Sequence, residues 1–206
     1  VLGFAYLTQI KIKDSKKAFE KAIELDQADP MPRLGLGLAK IREGGWPKWE
    51  PDFWKMVDKG LLEGTRELEI AASLDPDNSL IRSYLGKAYY EETRDKLATD
   101  QFEMAKKLDP SDPTPYFYDA IEKQTTNRPV EALYDLQKAI ELNDNRAVYR
   151  SRLLLDADLA ARSASLARIY TDLGFQQRAL VEGWKSVNTD PADFSGHRFL
   201  ADTYAA

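Results

Sequence analysis

The side chains able to carry out chemistry are few. The chain has a single histidine, His197, and no cysteine, so a nucleophile and its base have few possible members. Disulfides, thiolates and cysteine zinc sites are ruled out together. His197 stands at a helical position that packs between helices and is read as buried or half-buried. Acidic clusters occur at Asp75-Pro76-Asp77, Asp109-Pro110-Ser111-Asp112 and Asp156-Ala157-Asp158. They look like metal loops in composition only. The first two recur where helices begin, a position at which Asp and Asn cap the free N–H groups, and none has the spacing of a calcium loop. Gly44-Gly45 marks a turn, and no glycine-rich phosphate loop is present. These residues assign no catalytic group, metal ligand or cofactor, and the expected function is not enzymatic.

The aromatic residues are more suggestive. Three of the four tryptophans, Trp46, Trp49 and Trp54, lie within nine residues. Tryptophan offers a large rigid contact area at low entropic cost, so these three form a candidate platform for a peptide or a sugar. A second reading starts a helix near Pro51 or Asp52 and packs the aromatics on that extension or over an open edge. Both readings stand on sequence alone.

The elements that position these groups show themselves in small residues recurring every 34 positions once two insertions are removed. One column reads Gly3, Gly37, Gly86, Ala120, Ala167, Ala201; a second reads Ser15, Gly64, Ala98, Ala132, Ala179; a third reads Ala22, Ala71, Ala105, Ala139, Ser186. Small residues at fixed helical spacing imply helices crossing too closely for bulk, where a large side chain costs about 1–3 kcal/mol. Apolar residues follow the helical period, as in Leu85, Gly86, Tyr89 and then Ala98, Phe102, Ala105. Proline closes the second helix of most frames. The hydrophobic fraction of 43% and charged fraction of 31% suit amphipathic helices rather than disorder. A net charge of −5 argues against a nucleic-acid partner. No apolar run is long enough to span a bilayer.

Leu-Gly-x-x-Tyr, then Ala-x-x-x-Phe-x-x-Ala, then Pro resembles the tetratricopeptide repeat, a helix–turn–helix unit of this length. The resemblance covers nearly the whole chain. It implies an all-α, right-handed solenoid of stacked hairpins forming one array over 1–206. The expected repeats are 1–29 (partial), 30–78 with an insertion at 45–59, 79–112, 113–146, an insertion at 147–159, 160–193, and 194–206 (partial). The family's opening aromatic is weakly kept: the column reads Arg33, Arg82, Tyr116, Ser163, His197. Asp119 and Lys123 replace Leu and Tyr in the fourth repeat, so its first helix is expected to pack less well. Gly183 replaces a large residue in the fifth, which implies local repacking. Residues 127–191 also resemble a subgroup of long bacterial tetratricopeptide proteins with further domains. The chain opens without Met inside a helical pattern and reads as a piece of a longer protein; its compartment, envelope or cytoplasm, is left open.

The resemblance implies a protein-interaction scaffold whose first helices line a concave groove holding a partner peptide or helix, or other domains of the parent chain. The groove residues expected are Leu34, Leu38, Ile41, Ser83, Lys87, Tyr90, Phe117, Ile121 and Arg168. An apolar groove suits an amphipathic segment. Part of the family clamps a peptide carboxylate with Lys, Asn and Arg, but the matching positions here hold Phe4, Gly35, Leu80 and Tyr84, so that ligand is disfavoured. The alternative is a glycan-binding module of bacterial polysaccharide export that uses the tryptophan-rich insertion.

Overall fold

A computed structural model describes residues 1–43, 59–142 and 162–205 in full, and the backbone alone of helical residues 44, 53–58 and 155–161. The described residues are helical, with no strand among them. They fall into two compact units, Val1–Leu108 and Asp109–Ala206. The first contains α1 (Leu2–Thr8), α2 (Ile12–Leu25), α3 (Pro30–Gly44), α4 (Phe53–Leu74), α5 (Ser79–Glu91) and α6 (Asp95–Leu108). The second contains α7 (Pro113–Thr125), α8 (Pro129–Glu141), α9 (Leu155–Asp172), α10 (Gln176–Thr189) and α11 (Phe194–Ala205). Within each unit, consecutive helices pack as hairpins and each hairpin packs on the next.

The acidic clusters at 75–77 and 109–112 are turn chemistry, and the side chains of Asp156 and Asp158 lie outside the described residues. In the loop after α2, Asp26 accepts from the Ala28 N–H at 2.9 Å and Asp29 from the Met31 N–H at 2.9 Å. The same two-step pattern recurs with Asp109 and Asp112 before α7, and with Asp190 and Asp193 before α11. Before α5, Asn78 takes the second position, accepting from the Ile81 N–H at 3.2 Å and donating to Asp75. Asp29, Asn78, Asp112 and Asp193 thus meet N–H groups at the start of a helix, and Asp26, Asp109 and Asp190 meet N–H groups of the loop that leads into it.

The turns inside the hairpins share another device. Ile10, Thr93, Asn127 and Gly174 occupy one repeat position, and all have positive φ: 60°, 58°, 60° and 80°. The N–H of the next residue reaches back five residues in each, Lys11 to Tyr6, Arg94 to Tyr89, Arg128 to Lys123 and Phe175 to Tyr170, at 2.7–3.0 Å. This is the left-handed helix cap. Only one of the four positions uses glycine, so the turn is imposed on side chains that resist it.

The small columns are where hairpin helices touch. Ser15, Ala98, Ala132 and Ala179 are buried, as are Ala71, Ala105, Ala139 and Ser186. Ser15 Oγ donates to the Gly3 carbonyl at 2.8 Å, closing α1 on α2. A Cβ on Gly86 would sit 2.6 Å from the Phe102 ring. The helix starting near Pro51 or Asp52 is observed as α4, whose 22 residues begin at Phe53.

Candidate functional site

Beside the small columns, three of the hairpins carry a polar clasp that periodicity does not reveal. In α3–α4 the Glu67 carboxylate accepts from Arg33 Nη1 at 2.8 Å and Lys40 Nζ at 2.9 Å. At the matching positions of α5–α6, Arg82 Nη1 donates to Gln101 Oε1 at 2.9 Å. In α7–α8, Lys123 pairs with Asp135 and, at 2.9 Å, with Asp119. Burial pushes the Glu67 carboxyl up, but the hydrogen bonds and charges of Lys40 and Arg33 outweigh it and hold it below the usual value. Burial alone would lower the Lys123 ammonium; the two aspartates raise it instead. The expected weak packing of the fourth repeat is thus corrected. Asp119 is fully buried, and the Leu–Tyr pair of other repeats is replaced by a charged triad joining α7 to α8. Arg128 adds a bond to buried Glu122 at 2.6 Å.

Three of the five residues in the weak landmark column share a chemistry. Arg82 Nε donates to the Pro76 carbonyl at 2.9 Å, Tyr116 Oη to Pro110 O at 3.5 Å, and His197 Nε2 lies 2.9 Å from Pro191 O. Each reaches six residues back to the loop that introduces its helix. Arg, Tyr and His have one capacity in common, an N–H or O–H at the end of a long side chain. His197 is therefore exposed and bonded to its loop, not buried between helices as expected.

The expected groove residues divide. Leu38, Lys87 and Tyr90 are half-buried on α3 and α5, and Lys87 pairs with Glu91 on its own helix. Leu34 and Ser83 are corrected: they are 1% and 0% exposed, and Ser83 Oγ donates to Ser79 O at 2.8 Å, so neither presents a surface. Ile41 is half-buried and packs on α4. A Cβ on Gly64 would lie 2.4 Å from Ile41 Cγ1, so this side chain fills the notch on α4. In the second unit, Phe117 is buried beneath the Arg162 guanidinium, 5.1 Å above its ring. Ile121 is half-buried against the core cluster, and Arg168 is exposed. Trp46 and Trp49, like most of the second insertion, lie outside the described residues, as does the side chain of Trp54.

Sequence reading misses Arg162. It is fully buried, and Nη1 donates to the Ala139 carbonyl at 2.7 Å, so one side chain ties α9 to α8 and to Phe117 of α7. No pattern marks it, because it follows an insertion and falls one place before the landmark column. Among the described residues no group of three His, Cys, Asp or Glu is placed to hold a metal, and no helix is long and apolar enough to cross a membrane.

No family model matches the sequence, and no curated protein matches it. Solved structures do match in fold. A chain of the APC/C hetero-tetramer Cut9–Hcn1 superposes with TM-score 0.80 at 18% identity, covering 99% of this chain and 35% of that one. This chain therefore spans about a third of that protein's length. TTC0263, a thermophilic TPR protein of Thermus thermophilus, gives TM-score 0.73 at 15% identity over 100% of this chain and 96% of its own. MamA (41-end) of Desulfovibrio magneticus RS-1 gives 0.60 at 12% identity over 94% and 93%. Stacked hairpins, small-residue crossings at a 34-residue period and these likenesses agree: the chain has the tetratricopeptide-repeat fold.

Proposed function

We propose that this chain is a protein-interaction scaffold and that a partner peptide or amphipathic helix lies against the first helices of its hairpins. The observation that carries the reading is the state of α3 and α5. Once the hairpin contacts at Gly37 with Gly64 and Gly86 with Phe102 are made, Leu38 and Tyr90 remain half-exposed, with the charged Lys87 between them in sequence. Apolar anchors beside a charge suit an amphipathic segment, whose affinity comes from burying its apolar face. In the second unit the candidates narrow to Ile121 and Arg168. A fold neighbour that occurs in a hetero-tetramer, Cut9–Hcn1, supports an assembly role in general.

The test is affinity capture with the intact chain beside Leu38→Glu and Tyr90→Glu variants, followed by hydrogen exchange on the captured complex. A partner should slow exchange in α3 and α5, and each charge insertion should weaken binding about tenfold or more. A partner that binds both variants as well as the parent chain refutes this placement.

A further inference from the structure

The small columns are alike in every hairpin, so they do not tell one repeat from another. Two junctions between hairpins do. Where α2 meets α3, the Phe19 ring occupies the space above Gly35: a Cβ there would lie 2.2 Å from Phe19 Cζ. Where α10 meets α11, the residue types are exchanged. Gly183 is on the earlier helix and Phe199 on the later one, and a Cβ on Gly183 would lie 2.6 Å from Phe199 Cδ1. The spacing is sixteen residues in both cases, 19 to 35 and 183 to 199. The same two positions hold Leu68 and Tyr84 between α4 and α5, and Leu136 and Ser165 between α8 and α9, with no glycine in either junction.

We propose that the two junctions are keyed in opposite senses, so that one ring and one missing side chain fix which helix can follow which. Placing α11 on a surface like α2 would set Phe199 against Phe19, ring on ring. Placing α3 on a surface like α10 would set Gly35 against Gly183 and leave a ring-sized void. Overpacking and cavities both oppose the wrong pairing, and discrimination comes from that penalty as much as from the correct fit. This also accounts for Gly183, where the repeat pattern calls for a large residue. The large residue is present, but it comes from the next helix.

The test uses the full chain and hydrogen exchange in α11, with α9 and α10 as the internal reference. Gly183→Leu alone and Phe199→Gly alone should each speed exchange in α11 on the order of tenfold or more. Leucine is the chosen residue because Leu136 holds this column in a hairpin that carries Ala120, and the α9–α10 hairpin carries Ala167 in the same place. The Gly183→Leu/Phe199→Gly pair should regain at least half of the lost protection, counted as the logarithm of the rate. At the other junction, Gly35→Phe should raise exchange in α3 by a similar factor. A double variant no better than its worse single, or a Gly35→Phe chain with unchanged α3 exchange, overturns the proposal.

Discussion

Gly37 of α3 and Gly64 of α4 cross backbone to backbone. The carbonyl oxygen of Gly64 lies 2.8 Å from where a Cβ on Gly37 would stand, and that of Gly37 lies 2.7 Å from the corresponding point on Gly64. Neither position has room for a methyl group unless the main chain moves. Alanine at Gly64 would gain about 1 kcal/mol of helix propensity. It would also overpack a contact that cannot relax by side-chain rotation, at about 1–3 kcal/mol. Gly64→Ala is therefore expected to lower the urea midpoint by the equivalent of about 1 kcal/mol, with m unchanged. An equal or higher midpoint would show that the helices separate at little cost.

The left-handed turns supply a cleaner comparison. Thr93 holds φ 58° despite its β-branch, and Gly174 holds φ 80° with nothing within 4 Å of a built Cβ. The left-handed conformation costs a side chain about 1–2 kcal/mol, and the freer unfolded chain of a glycine offsets part of that. Thr93→Gly should stabilise the protein by about 0.5–1 kcal/mol, and Gly174→Ala should destabilise it by a similar amount. Thermal or urea unfolding of the two variants measures both signs, and matching signs would contradict the backbone argument.

The charged triad of α7 and α8 is expected to respond unevenly. Removing its cation by Lys123→Met leaves Asp119 and Asp135 facing each other in a buried site, with a loss of about 3 kcal/mol. Replacing Asp119 and Lys123 together by the Leu and Tyr found at Leu85 and Tyr89 removes one charge of each sign and should cost clearly less. Chemical denaturation of both variants decides. A milder loss in Lys123→Met than in the double variant would show that the triad is not what joins these helices.

Stability should fall at both ends of the pH range through the first unit. The Glu67 carboxyl is held below its ordinary value of 4.5, so its contribution is complete above that pH and is lost as pH falls through the folded value. Tyr89 behaves in the opposite direction. Burial, then its 2.9 Å hydrogen bond to Glu69, push its phenol up to about 12 from 10.0. The unfolded chain then loses this proton first, and stability declines between about pH 10 and pH 12. Denaturation profiles of Glu67→Gln and Tyr89→Phe should lose the acid and alkaline slopes respectively, and an unaltered slope in either case removes that assignment.

Arg162 is expected to be the most sensitive single position of the second unit. Its guanidinium meets the Ala139 carbonyl and the Phe117 ring in a site closed to water. Arg162→Ala opens a large cavity and removes those contacts, a loss of about 3–5 kcal/mol. Arg162→Lys keeps the charge but not the planar fork and should recover only part of it. Equal unfolding midpoints for Arg162→Ala and the parent chain would refute the role.

Fold and site are legible in the sequence to different depths. A 34-residue period of small residues announces hairpins in close contact, and the caps at Asp29, Asn78, Asp112 and Asp193 follow from residue type and place. These are local properties. Helix crossings and caps depend on residues a few positions apart, so the chain writes them directly. Periodicity also separates the inner side of a helix from its outer side, but it does not say how far the next hairpin closes over that outer side. It therefore places Leu34 and Ser83 in a groove, where the structure buries them, and His197 in an interior, where the structure exposes it.

What the sequence determined by itself is the repeating hairpin, because its contacts recur at one spacing and small side chains leave one way to pack. What tertiary structure alone decided is which partner completes each exception. Phe199 fills the gap at Gly183, Asp135 receives Lys123, and Arg162 reaches Ala139. Each of these joins different helices, and their meeting depends on how successive helices are placed in space, which no local spacing records.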